Sequence, residues 1–185
     1  LAFAGVGCRY YVLLCDGMGT GLGAAAEGES AGSLLRQMLS AGFPAEYALR
    51  SVNSLLTLRG RAAAVTVDLV ELRLDSGRAA VYKWGAAPSY VLSRGEIVRI
   101  GTATPPPGLS VTDGRETVEK LSLRRGETLV LLSDGAGGED SLRRLWMDSD
   151  APAGELAAKI LQSSRTLHAD DATVAVVQLT DLSEP

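Results

Sequence analysis

Three acidic clusters stand at the ends of apolar runs. Asp16-Gly17-Met18-Gly19 follows Tyr11-Val12-Leu13-Leu14-Cys15, Ser133-Asp134-Gly135 follows Leu129-Val130-Leu131-Leu132, and Asp170-Asp171 precedes Ala172-Thr173-Val174-Ala175-Val176-Val177. A strand that ends in Asp-Gly holds its carboxylate at the rim of a sheet, and the glycine permits the sharp turn and close backbone approach that a metal or phosphate needs. Oxygen-only ligands select Mg, Mn or Ca over zinc or copper. Any one Asp-Gly alone reads as an ordinary turn. Three clusters in this placement read as a carboxylate site for hard divalent cations.

The chain that must position them has 185 residues, of which 46% are hydrophobic and 22% charged, enough for one domain with a buried core. One domain over 1–185 is the expectation. A net charge of −4 and a pI near 5.1 disfavour nucleic acid or an anionic membrane surface as partner. No apolar run approaches the roughly 18 residues needed to span a bilayer, and Leu1 opens no basic-then-apolar signal sequence, so a cytoplasmic domain excised from a longer protein is expected. Cys8 and Cys15 read as lying on one strand and facing opposite ways, two small buried hydrophobes rather than a disulfide.

Hydrophobic periodicity orders the elements. Residues 1–4 and 8–15 read as a hairpin whose first strand is cut short. Ala31, Leu34, Leu35, Met38 and Leu39 follow helical spacing up to Gly42, and Ala45, Ala48, Leu49, Val52, Leu55 and Leu56 repeat it after Pro44. From 62 to 100 the pattern turns to an antiparallel meander with a turn at Asp75-Ser76-Gly77. Pro105-Pro106-Pro107-Gly108 must be a rigid loop. Strands at 116–121 and 128–133, helices at 141–146 and 153–164 and a last strand at 173–179 complete the order. Hairpin-built sheets with helices collected in two blocks give an α+β class, not a doubly wound parallel sheet.

Two motifs fail on context. Gly19-Thr20-Gly21-Leu22-Gly23-Ala24 has the G-x-G-x-x-A form of a dinucleotide fingerprint, but two helices follow where a second parallel strand is required. Gly28-Glu29-Ser30-Ala31-Gly32 has the form of a nucleophile elbow, and Asp134 and the lone His168 follow in hydrolase order. No strand precedes Ser30, which falls where a helix begins and reads as a cap or helix-surface residue. His168, two residues before Asp170, reads as a loop residue and a candidate proton donor.

The run from Tyr10 to Gly21 resembles the first metal motif of the bacterial metal-dependent type 2C serine/threonine phosphatases, and above all their sporulation stage II protein E branch. Ala41-Gly42-Phe43, Val52-Asn53-Ser54-Leu55-Leu56, Gly85-Ala86-Ala87-Pro88-Ser89, Ser133-Asp134-Gly135 and Asp170-Asp171-Ala172-Thr173-Val174 match in family order across nearly the whole chain. The resemblance implies a β-sandwich of two mainly antiparallel sheets flanked by helices, with its N-terminal strand truncated. It also implies two Mn or Mg ions at one end and a phosphoserine or phosphothreonine protein as substrate. By position, Asp16 would bridge both ions, the Gly17 carbonyl would bind one, and Asp134 and Asp170 would complete the other site. Asp171 stands where the family varies between Asp and Asn, behind these ligands. Such an ion pair suits a phosphate monoester, which hydrolyses very slowly unaided.

The resemblance further implies an anti-sigma-factor antagonist as the phosphorylated partner, a cytoplasmic domain whose parent is a candidate for membrane anchoring, and regulatory helices at 31–58. Those helices are also a candidate homodimer surface because their apolar stripe is broad. The resemblance also implies a Gly-Asp pair on the strand before this hairpin, whose acidic group helps hold the second ion and which would lie ahead of Leu1. The alternative from another class is a catalytically impaired phosphatase fold that serves as a binding or sensing module.

Overall fold

The computed structural model describes residues 1–19, 21–60, 64–108, 116–146, 151–167 and 171–180. In chain order the elements are β1 (Ala2–Val6), β2 (Arg9–Gly17), α1 (Leu22–Ser40), α2 (Ala45–Arg59), β3 (Val65–Arg73), β4 (Arg78–Trp84), β5 (Ser89–Ser93), β6 (Glu96–Ile100), β7 (Thr117–Ser122), β8 (Thr128–Leu132), α3 (Glu139–Trp146), α4 (Ala153–Leu167) and β9 (Val174–Gln178), with one 3-10 turn at Asp134–Ala136. They form two compact units, one of Leu1–Ala87 with Gly101–Leu121 and the other of Pro88–Ile100 with Ser122–Pro185. The class is α+β with two sheets, as the order of elements predicts.

The first unit is built on a five-stranded sheet in the order β1-β2-β3-β4-β7. Its first three pairings are antiparallel. Alternation along β2 sorts the side chains. Tyr11 and Leu13 join Val65, Val67, Leu69, Tyr82 and Trp84 in the core under the two helices, and Val12, Leu14 and Asp16 take the opposite face. The helices close that core with Ala31, Leu35 and Leu39 from α1 and Ala48, Leu49, Val52 and Leu56 from α2, the stripes that helical spacing predicts. Each fully buried leucine contributes about 1.5–3 kcal/mol relative to exposure. Arg59 near the end of α2 pairs with Glu27 of α1 at 2.9 Å, as an antiparallel helical hairpin requires.

The second unit carries the sheet β6-β5-β8-β9, antiparallel throughout. Leu142 of α3 and Leu156 and Ile160 of α4 pack on its Tyr90, Leu92, Val130, Leu132 and Val174.

Three expectations need correction. The meander breaks after Trp84, because β5 pairs with β6 and β8 and not with β4. Gly85-Ala86-Ala87-Pro88 carries the chain to another sheet, a change that strand periodicity does not register. Helix α1 starts at Leu22, so Ser30 lies well inside it and caps nothing; the run Gly23-Ala24-Ala25-Ala26 is helical although no apolar stripe marks it. Cys8 is exposed and sits in the β1–β2 turn, while Cys15 lies in β2 with its sulfur 3.6 Å from where a Cβ on Gly32 would stand. Burial pushes the Cys15 thiol up to about 12, with Asp68 and Asp16 adding to the rise. The apolar stripe of residues 31–58 packs largely into the core, and Phe43, Tyr47 and Leu58 are the large apolar side chains that α2 and its approach expose.

Candidate metal centre

Asp16 and Gly17 are the last two residues of β2, paired with Thr66 and Val65 of β3. Beyond them the Met18 N–H donates to the Ala64 carbonyl at 2.9 Å and closes the end of the ladder. The Thr66 hydroxyl reaches the Asp16 carbonyl at 3.4 Å. The carboxylate of Asp16, half-buried, is thereby held at the rim of the first sheet, where the Asp-Gly pattern predicts it.

Helix α1 crosses this strand end at a distance only glycine permits. A Cβ on Gly17 would stand 1.8 Å from the Ala24 carbonyl oxygen, and one on Gly28 would stand 2.8 Å from the Gly17 nitrogen. The glycines of the apparent nucleophile elbow therefore serve packing: Gly28 and Gly32 line α1 where it meets Asp16, Gly17 and Cys15. Gly17→Ala is expected to destabilise the protein by about 3 kcal/mol, the upper range for overpacking against backbone, and to lower the melting temperature by roughly 10 °C. Gly23→Ala, in the same helix with nothing within 4 Å of the added carbon, is expected to be neutral or slightly stabilising. Calorimetric melting of the two variants checks both.

The second acidic position is built in the other unit. Asp134 opens the 3-10 turn one residue past the end of β8, is exposed, and accepts the Gly135 N–H at 3.0 Å, which orients its carboxylate. Ser133, which motif reasoning left unassigned, ties this end to the strand beside it. Its N–H donates to the Thr173 carbonyl at 3.0 Å, and its hydroxyl accepts the Thr173 N–H at 2.9 Å. Since Leu132 faces Val174 in the register, Asp134 and exposed Asp171 stand on neighbouring strand ends. The signal for Ser133 was a short hydroxyl at the last position of an apolar strand. Asp170 and His168 lie outside the described residues.

Among the described residues no three His, Cys, Asp or Glu side chains stand close enough together to hold an ion, and Asp170 is not one of them. The donor chemistry nonetheless fits a hard divalent cation: carboxylate oxygens at strand ends, and at Gly17 a backbone with no side chain to shield its carbonyl. No helix among the described residues is long and apolar enough to cross a membrane.

The sequence pattern of the stage II sporulation protein E (SpoIIE) family matches residues 7–180. Stage II sporulation protein E of Priestia megaterium is 26% identical over 92% of this chain and 32% of its own length, so the chain spans about a third of that relative. Among solved structures, the PP2C phosphatase domain with a fragment of the regulatory domain of SpoIIE from Bacillus subtilis superposes with a TM-score of 0.84 at 24% identity, over 96% of this chain and 57% of the other. RsbX in complex with magnesium superposes with a TM-score of 0.75 at 14% identity, over 96% and 85%. Both likenesses establish the fold.

Proposed function

The chain belongs to the stage II sporulation protein E family, and from that premise we propose that it is a metal-dependent phosphatase acting on a phosphoserine or phosphothreonine of a protein. The observation that carries this is the Asp16-Gly17 strand end, pressed under α1 so closely that no side chain fits at 17. Gly17, with no side chain of its own, sets its backbone carbonyl next to the Asp16 carboxylate at the same strand end.

The residues that would hold two Mn or Mg ions are Asp16, the Gly17 carbonyl, Asp134 and Asp170, with Asp171 orienting from behind. A pair of divalent cations supplies, when bound, an activated water at neutral pH and neutralises charge on the phosphoryl oxygens. Asp16, as a carboxylate, would offset part of the charge of the ions. Ser133 fixes the neighbouring strand end, and the Gly135 N–H keeps Asp134 aimed. That the magnesium complex of RsbX shares this fold supports the choice of ion.

For the substrate we propose a small phosphorylated regulator of the anti-sigma-factor antagonist type, met in the cytoplasm by a longer protein of which this chain is part. Residues 31–58 would join a second copy through the exposed, stacked Phe43 and Tyr47, whose ring centroids are 5.6 Å apart.

Manganese titration of the parent protein by calorimetry, run beside a phosphoserine-protein dephosphorylation assay, tests the reading. Two binding events with turnover support it. No binding at millimolar manganese would leave the fold as a binding or sensing module.

A further inference from the structure

The loop at 101–108 is fastened within the first unit at three separate points. At its start the Gly101 N–H donates to Glu119 Oε1 at 2.7 Å. In its middle Thr104 Oγ1 accepts the Gly85 N–H at 2.9 Å. Pro106 lies so near that a Cβ on Gly85 would stand 2.5 Å from the Pro106 Cα, and Gly85 has φ +66°, which L side chains rarely adopt. At its end the Gly108 N–H donates to Asn53 Oδ1, on α2, at 3.0 Å and 55 residues away in sequence. Pro107 and Gly108 are buried although they belong to a loop.

Three successive prolines fix φ and leave the loop few ways to flex, so it behaves as a stiff strap whose ends report each other's positions. Its middle rests where Gly85 bridges Val67. Val67 faces Cys15 and Thr66 faces Asp16 in the ladder. Gly85 is therefore two strand spacings, about 10 Å, from the strand end that carries the first carboxylate. At the other end, asparagine is a poor choice inside a helix unless its carboxamide has a partner. The partner here is a buried backbone N–H that would otherwise go unmet.

We propose that Asn53 is a positioning residue: its carboxamide latches α2 to the proline strap and, through Gly85 and β3, holds the Asp16-Gly17 strand end in the geometry that receives the cation. This rests on the metal-centre reading above. Removing the acceptor while keeping the volume frees Gly108, lets the strap lift from Gly85, and loosens the closing Met18-to-Ala64 hydrogen bond.

The test is amide hydrogen exchange on the full chain, with manganese binding followed by calorimetry, for Asn53→Leu and Asn53→Asp. Asn53→Leu is expected to speed exchange about tenfold or more at Gly108, Gly85 and Met18, and to raise the half-saturating manganese concentration about tenfold, the low end for groups that orient ligands. Asn53→Asp keeps an acceptor oxygen and is expected to restore both. Faster exchange at Gly108 with Met18 and the manganese midpoint unchanged would overturn the latch, as would unchanged exchange at Gly108. If the wild type binds no manganese, the metal reading fails separately, and the latch stands or falls on whether Met18 and Gly85 follow Gly108 in exchange. If Asn53→Leu does not fold, Thr104→Val cuts the same strap at its middle, with the same outcomes at Met18 deciding.

Discussion

Asp16→Ala is expected to lower phosphatase turnover by roughly a thousandfold while leaving the melting temperature nearly unchanged. The activity loss follows from the role proposed for this carboxylate as the shared ligand of both ions: removing it forfeits several kcal/mol of transition-state charge stabilisation, and about 1.36 kcal/mol corresponds to each factor of ten. The small effect on stability follows from place. Asp16 is half-buried at the end of β2, on the sheet face opposite the core of α1 and α2, so alanine there opens no cavity in that core. Asp171→Asn is the graded control, expected to cost about ten- to a hundredfold, as groups that orient ligands do. Initial rates at saturating manganese, with thermal melts of the same preparations, measure both. Full turnover by Asp16→Ala would exclude the mechanism.

How far the site was legible depends on the reach of each signal. Asp16, Gly17 and Asp134 stand at the strand ends where Asp-Gly after an apolar run places them, because strand periodicity and turn chemistry are both local. The same locality explains the misses. The break between β4 and β5 is a change of pairing partner, and partner choice lies in no short window. The first turns of α1 escaped because alanine and glycine carry no stripe, and what fixes them is the contact of Gly28 with a strand eleven residues earlier in sequence. Asn53 was matched as part of a motif, yet its partner Gly108 lies across the fold.

One cross-strand pair is legible from the sequence once the β3–β4 hairpin is closed. Asp68 interrupts the apolar run of β3 and Lys83 that of β4, and folding the hairpin about Asp75-Ser76-Gly77 sets them opposite each other. In the structure they form an ion pair at 0% and 1% side-chain exposure, on the sheet face that also carries Asp16. Burial pushes the Lys83 ammonium below its ordinary range, and the Asp68 carboxylate and then Glu119 pull it back. Gly101 lies against the aliphatic stem, 3.1 Å from it at the position of an added Cβ, so the chain is packed as well as paired.

Each buried charge is stabilised in large part by the other. Lys83→Met and Asp68→Leu singly are therefore expected to destabilise the protein by about 3–5 kcal/mol, since each leaves a buried charge without its main counter-charge, with melting temperatures lowered by roughly 10 °C or more. The double variant Asp68→Leu/Lys83→Met removes both charges and is expected to recover most of that loss. Urea unfolding of the four proteins measures the coupling. Additive single losses would show that the pair does not act as a unit. A full recovery would locate its value in fixing the β3–β4 register beside β2, because a one-residue slip would bury Lys83 against an apolar neighbour and turn Asp68 away from it.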